Sequence, residues 1–127
     1  MALELNRDNF DSAVLESTEP VLIDFWGPQC GPCLALNPFV EKIEGDYQGQ
    51  IKVAKVNAAE NRMLCVRLKV LGLPTFLVYK DGEEKQRITG NDVSESNIVA
   101  AVQAVQGHRR ADGRPESGCG ENGRNWC

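Results

Sequence analysis

The chain has 127 residues, 42% of them aliphatic or aromatic and 25% charged, with a net charge of −4. That length holds one domain with a real core but not two, and the 14 lysines and arginines are scattered, which argues against a nucleic-acid-binding stripe. No apolar stretch approaches the roughly 20 residues of a membrane span. The first residues, Met1-Ala2-Leu3-Glu4-Leu5-Asn6-Arg7-Asp8, lack a basic segment leading into an apolar one, and five cysteines form an odd set unlike a fully paired secreted framework, so a cytoplasmic protein is expected.

In chain order, residues 2–5 read as a short edge strand. Asn6 or Asp8 can cap a helix that turns Phe10, Ala13 and Val14 inward and ends before Ser17-Thr18-Glu19-Pro20. The run 21–26 is apolar on both faces except at Asp24, the pattern of a central strand covered by helices on both sides. A carboxylate among Leu22, Ile23 and Phe25 would lose hydration, and its pKa would rise toward neutrality. The alternative is a polar residue at a strand end, facing solvent.

Cys30-Gly31-Pro32-Cys33 follows, where the strand pattern gives way to a helical one. Two cysteines three positions apart on a helical turn face the same side with Cβ atoms roughly 5–6 Å apart. A disulfide needs about 3.8 Å, so a small adjustment closes or opens the bond. At a helix start, unpaired N–H groups and the positive end of the helix dipole favour a thiolate, which makes Cys30 the attacking sulfur. Cys33, one turn further in, is the resolving one. Gly31 leaves the mouth open, and Pro32 fits a first helical turn because its missing N–H removes no helical bond. Zinc sites use the same spacing but need a second pair of ligands, and before residue 107 the only other cysteine is Cys65.

Leu36, Phe39, Val40, Ile43 and Tyr47 form one apolar helical face, interrupted by Pro38, which is expected to kink the helix. Residues 51–56 read as a second strand with Lys55 as its odd member. Residues 61–68 read as a short helix carrying Leu64, Cys65 and Leu68, with Cys65 a small core residue. Leu73-Pro74-Thr75 leads into a third strand at 76–79. Lys80-Asp81-Gly82-Glu83 signals a hairpin into Gln86-Arg87-Ile88-Thr89, which brings Gly90 near the rim of the cysteine turn. Ser94 opens a last helix with Ile98, Ala101, Val102 and Val105 along one face.

Asp24-Phe25-Trp26, Cys30-Gly31-Pro32-Cys33, Pro38, Val53-Ala54-Lys55-Val56-Asn57, Leu73-Pro74-Thr75-Phe76 and Asp81-Gly82 occur in the order found in thioredoxins, and the chain resembles that family over residues 1 to about 106. The family is itself the familiar case of a C-x-x-C thiol with a lowered pKa. The resemblance implies an α/β thioredoxin fold, a central mixed sheet flanked by helices on both faces. It implies that Asp24 is the general base for Cys33 and that Lys55 lies near enough to oppose the rise in the Asp24 pKa. It implies a cis Leu73–Pro74 bond facing the cysteines, and a substrate-binding surface made by Trp26, Gln29, Leu73, Pro74 and Gly90. The implied activity is reduction of protein disulfides by a monomer with no bound cofactor or metal, recharged from NADPH by a thioredoxin reductase.

Two positions depart from the family pattern. Gln29 stands where a tryptophan usually precedes the first cysteine, which removes a large flat contact for partner proteins, and Leu34 stands where a lysine is frequent. Residues 107–127 have no counterpart and read as a flexible tail rich in Gly and Arg. Its Cys119 and Cys127 leave three readings open: an inert extension or scar, a weak zinc site with His108, or a thiol that visits Cys30 across a coil reach of roughly 25 Å. A more oxidising relative acting as isomerase, and an adaptor whose dithiol is incidental, are the competing functions.

Overall fold

In the computed structural model, which describes residues 3–106, Leu3–Glu4 (β1), Val21–Trp26 (β2), Lys52–Asn57 (β3), Thr75–Lys80 (β4) and Glu83–Thr89 (β5) form one sheet in the order β1-β3-β2-β4-β5. β2 runs parallel to β3 and antiparallel to β4, and β1 and β5 close the edges, parallel to β3 and antiparallel to β4 respectively. The sheet is mixed, as expected.

Apolar side chains on both faces of β2 explain its central place. Val21, Ile23 and Phe25 join Phe10, Val14 and Leu64 in one core cluster, while Leu22 joins Val40, Ile43, Ile98 and Val102 in another. Helices Asn37–Asp46 and Glu95–Gln106 cover the second face, and Arg62–Leu68 with the segment around Phe10 covers the first. Numbered in chain order with Gly31–Ala35 as α1, these helices are α2 (Asn37–Asp46), α3 (Arg62–Leu68) and α4 (Glu95–Gln106). Among the described residues no helix is long and apolar enough to cross a membrane.

Four local details refine the sequence reading. The first helical segment, Asp11–Leu15, is wound as a wider π turn, with the Glu16 N–H reaching back to the Asp11 carbonyl at 3.1 Å. It still buries Phe10 and Val14 completely, and Asn6 Oδ1 accepts the N–H groups of Asp8 and Asn9 ahead of it. Pro38 interrupts the helical run as expected: the break falls at Leu36, which keeps αR backbone angles, and Pro38 lies in the first turn of α2, where its missing N–H is tolerated. The third correction is one of boundaries. Strands β3 and β4 end or begin a residue from the expected positions, and Ser94 caps α4 from outside, its Oγ accepting the Asn97 N–H at 3.1 Å.

The fourth detail is the β4–β5 turn. Asp81 and Gly82 both have positive φ, 56° and 79°, the geometry of a tight hairpin whose twist matches its strands. A Cβ at Gly82 would lie 3.1 Å from the Leu15 carbonyl, so glycine is needed there for space as well as for φ.

Candidate active site

Cys30 occupies the N-cap of α1 with an extended backbone, its N–H held by the Gly27 carbonyl at 3.0 Å. Pro32 sits in the first turn, and the Cys33 N–H, free of any helical partner at that position, donates to Cys30 Sγ at 3.2 Å. The two cysteines are joined as a disulfide with Cα atoms 5.3 Å apart. They are unequal in exposure. Cys30 is half-buried at the mouth, whereas Cys33 is 1% exposed, with its sulfur 4.0 Å from the Phe25 carbonyl on β2. Gly31 faces open space.

Asp24 is also 1% exposed, on the same face of β2 as Leu22 and therefore on the side of α2. Neither carboxylate oxygen has a hydrogen-bond partner among the described residues. Burial is the main influence on its carboxyl and pushes its pKa up to about 6, with Lys55 pulling it down and Glu4 pushing it further up. The sheet register supplies these neighbours. Glu4 on β1 lies opposite Lys55 on β3, and Lys55 lies opposite Asp24, with Phe76 of β4 on the other side. The Lys55 ammonium donates to Asn37 Oδ1 at 2.9 Å.

The Leu73–Pro74 bond is cis, Pro74 is buried, and its carbonyl accepts the Gly90 N–H at 3.2 Å. Thr75 Oγ1 donates to the Gly72 carbonyl at 2.6 Å, and Arg87 donates to the carbonyls of Leu68 and Lys69, so the segment ahead of Pro74 is tied to β4, β5 and the end of α3. Leu71, Gly72, Leu73, Thr89 and Gly90 line an open groove. A Cβ on Gly27 would lie 3.1 Å from Leu73 Cδ1, which shows how closely the turn before Cys30 packs on this segment. Gln29 is exposed, and Trp26 is half-buried with its Nε1 enclosed and unpartnered among the described residues.

The structure thus brings Cys30, Cys33, Gly31 and Pro32 into one turn, joins Pro74 to Gly90, and places Lys55 beside Asp24. Glu4, Gly27 and Asn37 are additions that sequence reasoning missed. Gly27 was visible only as part of a Gly-Pro lead-in, and Asn37 as a polar residue before Pro38. Cys65 is buried and unpaired, and burial raises its pKa, which keeps it a protonated core thiol. Among the described residues no group of three acidic, His or Cys side chains is arranged to hold a metal ion. The readings of His108, Cys119 and Cys127, and of the tail as a whole, lie outside the described residues.

A half-exposed sulfur at a helix start, bonded to a sealed one, defines a site for thiol–disulfide exchange. The thioredoxin family profile matches residues 1–104. The chain is 40% identical over 100 residues to a thioredoxin of Acetoanaerobium sticklandii, covering 79% of this chain and 95% of that protein. It is 36% identical over 102 residues to a thioredoxin of Peptoclostridium acidaminophilum, covering 80% and 93%. It is also 42% identical over 90 residues to thioredoxin 1 of Synechococcus elongatus, covering 71% and 84%. The chain belongs to the thioredoxin family. It is a thiol–disulfide oxidoreductase whose substrates are disulfide-containing proteins.

Proposed function

We propose that the chain is a cytoplasmic, monomeric reductase of protein disulfides in which Cys30 attacks and Cys33 resolves. The Cys30 thiolate attacks one sulfur of a partner's disulfide, forming a mixed disulfide and releasing the other sulfur as a thiolate. Cys33 then loses its proton to Asp24 and attacks Cys30 Sγ, which breaks the mixed bond and expels the second substrate thiolate. The two electrons of the dithiol pass to the substrate, and the Cys30–Cys33 disulfide remains. A thioredoxin reductase drawing on NADPH returns the two electrons.

The observation that carries this assignment is the inequality of the two sulfurs: Cys30 is accessible and accepts the Cys33 N–H, while Cys33 is sealed beneath it. A hydrogen bond from a backbone N–H favours the charged form of the sulfur that receives it. Asp24 is the base because a buried carboxyl with a pKa of about 6 takes a proton more readily than an ordinary one, and Lys55 sets how readily. The substrate chain lies extended along Leu73, Pro74 and Gly90, with Trp26 and Gln29 flanking the cysteine turn.

Insulin reduction tests the proposal. With dithiothreitol, and then with a thioredoxin reductase and NADPH, the native chain turns over. The Cys30→Ser chain is inert, and the Cys33→Ser chain accumulates a mixed disulfide without turnover. Activity retained in both variants would overturn the assignment. A reduction potential measured in glutathione buffers separates a reductase from an oxidant or isomerase, since about 30 mV shifts the two-electron equilibrium tenfold.

A further inference from the structure

The Lys55 ammonium stands one strand away from Asp24 and gives its hydrogen bond to the amide oxygen of Asn37, at 2.9 Å, while both Asp24 oxygens are without a partner among the described residues. Asn37 is the first residue of α2, directly after the helix break at Leu36. That break lets the start of α2 bring a neutral acceptor to the row Glu4, Lys55, Asp24. We propose that Asn37 is a positioning residue for the Cys33 step: it holds the Lys55 ammonium at the helix, denies Asp24 a direct ion pair, and so keeps that carboxyl able to take a proton from Cys33. The inference deepens the reading of Asp24 as the base for Cys33 and rests on it.

The physical choice is between two acceptors for one cation. An ammonium in hydrogen-bond contact with a carboxylate stabilises the charged form strongly and makes it a poor base. An amide oxygen satisfies one of the three ammonium protons without adding charge. Among the other neighbours, Glu4 is the second anion of the row, but it is exposed and well hydrated, so it gains less from Lys55 than Asp24 would. From β4 the neighbour is Phe76, which carries no charge, and α1 brings the Cys33 sulfur to 4.0 Å from the carbonyl of the next residue, Phe25. With Asn37 removed, Asp24 is the buried group with most to gain from the released ammonium.

The test is a carbon-13 NMR titration of the Asp24 carboxyl in the full reduced chain. Asn37→Ala lowers the proton affinity of Asp24 at least tenfold. Asn37→Asp keeps the ammonium in place and adds a negative charge, so it raises that affinity, and Asn37→Gln returns it near the native value. In a Lys55→Met background, Asn37→Ala has no effect on Asp24, because the cation it would release is gone. A role limited to helix packing would not give opposite shifts for Ala and Asp, nor make them depend on Lys55. An unchanged Asp24 midpoint in Asn37→Ala overturns the inference, and so does a downward shift in Asn37→Asp; the latter decides the matter if the alanine chain does not fold. If the midpoints move as stated while the pH profile of insulin reduction stays fixed, the positioning role stands and the assignment of Asp24 as the base falls.

Discussion

Asp24 and Lys55 face each other in register on β2 and β3, on one side of the sheet, and no hydrogen bond joins them. An acid buried beside a cation that is occupied elsewhere is held close to neutrality: burial raises its pKa, and the nearby charge limits the rise. That balance makes Asp24 costly to the folded chain above about pH 6 and, in the mechanism proposed above, suits it to take a proton from Cys33.

The first prediction concerns stability. The folded Asp24 pKa of about 6 exceeds its ordinary value of 3.8, so the native state binds this proton more tightly than the unfolded chain does. Stability therefore falls as pH rises from about 4 to about 6, and above that window the whole penalty is present. At 1.36 kcal/mol per pH unit, the penalty is about 3 kcal/mol. Asp24→Asn, which keeps the shape and stays neutral, is expected to stabilise the oxidised chain by up to that amount at pH 8 and to differ little from it at pH 4. Urea unfolding at the two pH values measures the difference.

A second prediction follows from the neighbour. Lys55 lowers the Asp24 pKa, so Lys55→Met raises it above about 6. The acid limb of the insulin-reduction profile should then move to higher pH, with little change at pH 8.5, where the carboxyl is charged in both chains. A limb that moves to lower pH contradicts the electrostatic assignment.

The third concerns the close approach of the turn before Cys30 to the segment ahead of Pro74. A Cβ at position 27 would lie 3.1 Å from Leu73 Cδ1, and Leu73 is 36% exposed, so it can yield outward. Gly27→Ala should cost less than about 1.5 kcal/mol in stability. It should also displace Leu73 from the rim ahead of Pro74. The expected signature is a severalfold rise in KM for insulin with kcat nearly unchanged, and the two constants measured separately check it.

Much of this architecture was legible from the residues. The doubly apolar β2 could only be a central strand, and the Asp81-Gly82 turn and the stripe Ile98, Ala101, Val102, Val105 were written locally. The π turn was not, because i and i+4 apolar residues fit an α-turn as well as a wider one. Pro38 announced the interruption but not its exact place: a proline removes the bond to the carbonyl four residues back, and the break can fall at any residue of that turn, here Leu36.

At the site, Cys30 and Cys33 were readable because both lie in one turn. The Glu4, Lys55 and Asp24 row was not, since the register between strands far apart in the chain is set by packing rather than by chain neighbours. The resemblance to thioredoxins supplied the Lys55 and Pro74 expectations. It offered nothing on Asn37, whose amide reads from sequence as one more polar group at a helix start.

The exchange chemistry depends most on the difference between the two sulfurs, and alkylation tests that difference directly. The reduced chain is treated with a small excess of iodoacetamide at pH 6, and the label is mapped by peptide mass spectrometry. The expected result is labelling of Cys30 several times faster than free cysteine at the same pH, with Cys33 protected. Equal labelling of the two, or a Cys30 no faster than free cysteine, would contradict it.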